Sequence, residues 1–367
     1  MLETYWNLEH VNPGFDRARV DEFVIDPWDA GYSPAKAAPF FRELREQILA
    51  LPQTRSAAYV SMELMRGYGM VTRVAPQGVV LPKRTIWNTS LNSVTPGYFE
   101  TLGIPLIAGR TLNANDMKTK PQPIVVNLAF AEFFFPHQNP IGKAIVQMEG
   151  TDSRKLSTSI IVGITETAKY RSMREQEPPI YYSPADYGQG DVLYVRTYGD
   201  PTATIGAVRA ILRRLDPRVL MVEANTLEQD IQSSLWQERL ITLLSGFFGV
   251  IAVILSGIGL YAALAYSVAR RRRELGIRIA IGAQDRHIVQ TICARVCAAV
   301  TIGLAAGLAA SAVLLGFTRS LLYGVTPNDP ETFLFAALGV SLCAVLGAAF
   351  PSWRAMRTDP ARALREE

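Results

Sequence analysis

Cysteine is absent until Cys293, and the other two, Cys297 and Cys343, follow it in the apolar C-terminal third. A disulfide framework and a thiolate metal site are thereby excluded from the long N-terminal part, which could sit in an oxidising compartment. Histidine is equally scarce. His10, His137 and His287 lie far apart, without the spacing of metal ligands. The Gly142-Lys143 pair follows His137 where a phosphate-binding loop needs glycine, and no Gly-x-Ser-x-Gly elbow occurs. Carboxylates are dispersed, so no general acid–base pair stands out. Asn88-Thr89-Ser90 matches a glycosylation sequon, a pattern short enough to be common by chance. These absences point away from an enzyme and imply no cofactor, no metal and no catalytic residue.

Charge is missing from three long stretches. None occurs between Arg239 and Arg270, between Arg295 and Arg319, or between Glu331 and Arg354. Each stretch reaches the roughly 20 residues that a helix needs to cross about 30 Å of hydrocarbon. The sequence therefore predicts an all-α membrane domain over 240–367, with transmembrane helices at 240–268, 288–318 and 332–355. Arginine crowds the loop after the first span, Arg270 to Arg273 with Arg278 and Arg286, and the tail, Arg354, Arg357, Arg362 and Arg365. The loop between the second and third spans has little positive charge. Positive loops stay in the cytoplasm, so the N-terminal domain is expected outside and the C-terminus inside. The net charge of +4 is thus explained by topology, and no nucleic-acid partner is implied. Gly303 and Gly307, four apart in the second span, suit close helix packing. No intramembrane charge suggests a proton or ion relay.

Before residue 240 the patterning is that of a soluble α+β domain. Residues 20–25 read as a strand and 34–51 as a helix, with Ala37, Phe40, Phe41, Leu44, Ile48 and Leu51 on one face, followed by a strand at 55–61. A second such unit runs 192–197, 202–215 and 219–223. Two strand–helix–strand units at the domain's ends predict a split, ferredoxin-like subdomain. Residues 66–182, rich in strand signals and in Gly and Pro, read as an inserted strand-rich subdomain with short helices near Tyr98 and Ala129. The expected division is a lead-in at 1–19, the α+β domain at 20–224, a stalk helix at 225–239 and the membrane domain. Leu227, Ile231 and Leu235 give the stalk an apolar stripe.

A family resemblance emerges from longer segments. Leu255-Ser-Gly-Ile-Gly-Leu-Tyr261, Val268 through Ala283, and the tail Asp359-Pro-Ala-Arg-Ala-Leu-Arg365 resemble FtsX-like permeases of the macrolide-exporter (MacB) type. Residues 94–110, 125–136 and 139–143 resemble that family's periplasmic core domain, and the whole is most similar to the second half of the duplicated (ADOP-type) permeases of acidobacteria. The resemblance implies a permease or mechanotransmission subunit of an ABC-type export system in the bacterial inner membrane. A separate cytoplasmic ABC ATPase would dock on the loop matching Arg273, Glu274, Gly276, Arg278, Gly282 and Ala283. Another permease half or a homodimer, a periplasmic adaptor, an outer-membrane channel and membrane lipids are the further partners it implies. Family members carry a membrane helix ahead of the segment matching 7–16. None is found between Met1 and that segment, so a fragment or a late start is expected. The alternative is a non-transporting FtsX-like protein that activates a periplasmic partner such as a cell-wall hydrolase.

Overall fold

The computed structural model describes residues 2–66, 70–77, 88–148, 156–174, 178–188 and 192–270, with short pieces at 298, 301–307, 309–311 and 338–339. They fall into two units: residues 10–236, and residues 1–9 with 237–367.

The first unit begins with β1 (Val20–Asp26), α2 (Pro34–Leu49) and β2 (Thr54–Val60), and closes with β10 (Val192–Thr197), α5 (Thr202–Leu215) and β11 (Leu220–Thr226); α1 (Leu2–His10) precedes them. The strands pair antiparallel in the order β11-β1-β10-β2. Each strand–helix–strand unit therefore leaves a gap that a strand of the other unit fills, the interleaving expected of a split ferredoxin-like fold. The side-chain period of two sends Phe23, Ile25, Leu193 and Val195 to one face, where Phe40, Phe41, Leu44 and Ile48 of α2 and Val208, Ile211 and Leu212 of α5 cover them. Phe41 is fully buried against the rings of Phe40 and Tyr59. Burying a side chain of that size contributes about 1.5–3 kcal/mol.

Between β2 and β10 the chain builds β3 (Met70–Pro76), β4 (Asn88–Val94), α3 (Tyr98–Leu102), β5 (Leu106–Gly109), β6 (Gln122–Asn127), α4 (Leu128–Phe134), β7 (Ala144–Met148), β8 (Leu156–Thr165) and β9 (Ile180–Pro184). Their pairings run β4-β3-β7-β8-β6-β9, and β9 then pairs parallel with β4, from Ser90↔Ile180 to Val94↔Pro184. The ring closes on itself, with β5 added along β8. Phe130, Ala131 and Phe134 of α4 join Ile124, Val126, Ile145, Ile161 and Tyr181 in a second core. The expected inserted subdomain is thus present, but its sheet runs on from the first through the pair Val60↔Val94.

The expected continuous stalk is not one helix. Residues 225 and 226 finish β11, α6 (Leu227–Ser234) follows, and Leu235 ends it with φ −96° and ψ 2° before α7 (Trp236–Arg270) begins. A capping box starts α6: Gln229 N–H donates to Thr226 Oγ1 at 3.2 Å and Thr226 N–H donates to Gln229 Oε1 at 3.0 Å. At the other end Leu235 N–H shares the carbonyls of Ile231 and Gln232, both at 3.2 Å, a tightened last turn.

In the second unit α7 is 35 residues long, about 50 Å of helix, and its stretch Arg239–Gly259 is long and apolar enough to cross a membrane. Phe247, Phe248, Val253, Ile254 and Ile258 are all exposed. The expected spans at 288–318 and 332–355 lie outside the described residues except for the short pieces above. Of the three expected spans, the first is the one that the described residues contain.

Candidate coupling site

The residues expected to meet an ATPase, Arg273, Glu274, Gly276, Arg278, Gly282 and Ala283, lie outside the described residues. Gly303 and Gly307 stand on the helical piece 301–307, where an added Cβ at either would meet nothing within 4 Å. Among the described residues no group of three or more His, Cys, Asp and Glu could hold a metal ion.

The described part concentrates its buried polar chemistry where α6 meets the sheet. The predicted stripe is the anchor: Leu227, Ile231 and Leu235 are all buried. On the same face, three residues after Leu227, sits Asp230, 1% exposed. Arg66, just after β2, donates from Nη2 to Asp230 Oδ1 at 2.9 Å and from Nη1 to Glu223 of β11. Asn225 Nδ2 donates to the same Asp230 oxygen at 3.2 Å. Outside this cluster Arg17 pairs with Glu228 at 3.2 Å. One helix of two turns is therefore tied to three separated parts of the chain.

Beneath Asp230 lies Glu22 of β1, 1% exposed. It accepts the hydroxyl proton of Tyr194 of β10, whose oxygen in turn accepts Leu64 N–H at 2.9 Å. Glu22 Oε1 and Asp230 Oδ2 are buried without a partner. Burial, with the Asp230 charge adding to it, pushes the Glu22 carboxyl up to about 8. Burial also raises Asp230, against the pull of Arg66. Asp21, next to Glu22 on β1, faces the other way, takes a hydrogen bond from Thr204 of α5, and is raised by burial to about 7.

A second polar knot lies within the inserted subdomain, and Arg196 ties that subdomain to the first. Tyr98 and Tyr170 share a hydroxyl hydrogen bond, Tyr170 donates to Tyr182 at 3.3 Å, and Asn92 Nδ2 donates to Tyr170 at 3.3 Å. Arg196 bridges Asp16 at 2.6 Å and the Thr101 carbonyl at 2.7 Å. Such satisfied networks fix one arrangement of the elements they join.

Sequence reasoning found the α6 stripe and missed its polar half. The signal was present. Asp21 and Glu22 interrupt a strand otherwise apolar at Val20, Phe23, Val24 and Ile25, and Asp230 falls on the buried side of an amphipathic turn.

Two family models match the chain: the MacB-like periplasmic core domain over residues 16–215 and the FtsX-like permease C-terminal region over 246–360. The macrolide export ATP-binding/permease protein MacB of Hahella chejuensis is 27% identical over 296 residues, covering 76% of this chain and 43% of the relative. Its namesake from Pasteurella multocida is 25% identical over 326 residues, covering 84% and 48%. The chain thus spans about half the length of the curated relatives it matches. The crystal structure of the periplasmic region of MacB from Actinobacillus actinomycetemcomitans aligns at 13% identity and a TM-score of 0.40, covering 62% of this chain and 97% of that one.

Proposed function

The chain belongs to the family that joins a MacB-like periplasmic core domain to an FtsX-like permease region, and from that premise we propose that it is the mechanotransmission subunit of an ABC-type exporter. It would sit in the bacterial inner membrane with residues 10–236 in the periplasm and its C-terminus in the cytoplasm. A separate ATPase would move the loop 270–286, and the membrane helices would carry that displacement to the periplasmic domain. A second permease half or a second copy would complete the unit. A periplasmic adaptor and an outer-membrane channel would extend it, and membrane lipid would surround its helices. The observation that carries this reading is the order of the chain. A helix tied into the sheet by Arg66, Leu227 and Ile231 is followed, after the single residue Leu235, by a helix with a membrane-crossing stretch. A displacement of α7 has no slack to cross before it reaches α6.

The test uses the chain and its cognate ATPase reconstituted together in lipid. Glu274→Ala and Gly282→Val are expected to lower coupled ATPase activity several-fold while leaving the melting temperature of the chain unchanged. Full coupling in both variants would remove the loop from the mechanism.

A further inference from the structure

Two buried carboxylates from different elements lie on either side of Asn225, which sits across the sheet from Glu22 of β1 and donates to Asp230 of α6, and each has an oxygen that has no partner, Glu22 Oε1 and Asp230 Oδ2. The groups around them come from every neighbouring element. Glu22 feels Tyr194 of β10, Asp230 of α6, and Glu63 and Arg66 of the segment after β2. Asp230 feels Arg66, and Asn225 and Glu223 of β11. Acidic groups outnumber the guanidinium that serves both, and Arg66 already divides its donors between Asp230 and Glu223.

Two carboxylates in one water-poor space do not readily ionise together, because burial disfavours each charge and each charge disfavours the other. A single proton on the pair relieves the repulsion and supplies a donor where both elements now present only acceptors. We propose that the Glu22–Asp230 pair is a proton-operated latch: with one proton on the pair α6 is held to the sheet, and when that proton is lost to the surrounding water the two charges push α6 away from β1. The geometry gives the latch leverage, since α6 is only two turns long and Asp230 lies between its buried anchors Leu227 and Ile231. Burial holding the Glu22 carboxyl near 8 puts the change within reach of neutral to mildly alkaline surroundings. Asp21 titrates in a similar range but faces α5 through Thr204, so it serves as the control.

The consequence for transport rests on the reading of α6 as the mechanical link, but the latch can be read without any ATPase. Hydrogen exchange of the full chain in detergent, between about pH 6 and pH 9 and corrected for the intrinsic pH dependence of exchange, compares peptides over 227–235 with peptides over α2. The α6 peptides are expected to lose protection about tenfold relative to α2 as the pH rises, which is what releasing one proton over about one pH unit gives. Glu22→Gln and Asp230→Asn are expected to flatten that response, and Asp21→Asn to leave it intact. A flat wild-type profile overturns the latch with no variant needed, and so does a Glu22→Gln chain that keeps the wild-type slope. Should a variant lose α2 protection as well, the wild-type profile against the Asp21→Asn control decides. A latch that opens in a chain whose coupling loop proves inert would leave the latch standing and remove only the transport reading.

Discussion

At the scale of single residues, this domain keeps ionisable groups where water is scarce. Asp21 and Glu22 are adjacent on one strand, and the alternation of side chains sends them to opposite faces, so each meets a different helix. For Asp21 the folded-state value is raised from 3.8 to about 7, so its contribution to stability is fully present below about pH 4 and is lost as the pH rises through about 7. Asp21→Asn carries no charge to desolvate. It is expected to raise the melting temperature of the detergent-solubilised chain at about pH 8, where each kcal/mol corresponds to about 2–4 °C in a domain of this size, and to change it little at about pH 4. Melting curves across that range check it; a benefit equal at both ends would assign the effect to packing instead of charge.

The elements differ in how openly the sequence declares them. The strands and helices at the two ends of the domain were legible from period alone, since Phe40, Phe41, Leu44 and Ile48 recur at helical spacing and bury as they should. The closure of the insertion was not legible. It depends on β9 lying parallel to β4, which joins Ser90 to Ile180, and no local pattern encodes a pairing at such separation. The stalk was misread for a related reason. The stripe Leu227, Ile231, Leu235 runs without interruption into the apolar residues after Arg239, so periodicity favours one helix. Leu235 instead leaves helical geometry while staying buried. The start of α6 rests on Thr226, whose side chain and backbone both take part in the cap. Thr226→Ala is expected to cost about 0.5–2 kcal/mol, while Thr226→Ser keeps the acceptor and most of the stability. Equal losses for the two would show that the cap contributes nothing beyond the packing of the threonine methyl group.

For the whole molecule, the arrangement proposed across the membrane rests on arginine, and it is testable without knowing the cargo. A cysteine placed at Ser172, in a chain cleared of its native cysteines, is expected to react with a membrane-impermeant maleimide added to spheroplasts. One placed at Gln284 is expected to react only after permeabilisation. The reverse pattern would invert the assignment. What the sequence could say of the candidate site was divided in the same way: the loop 270–286 was visible as a motif, whereas the buried pair under α6 became visible only once β1 and α6, more than half the domain apart in sequence, were brought together.

The single residue between α6 and α7 has a mechanical corollary. A swivel needs free dihedrals, and Leu235 has none to spare: the carbonyls of Ile231 and Gln232 hold its N–H, and its side chain is buried beside Leu227 and Ile231. The turn at φ −96° and ψ 2° is therefore a fixed elbow at the end of α6 and not a loose joint.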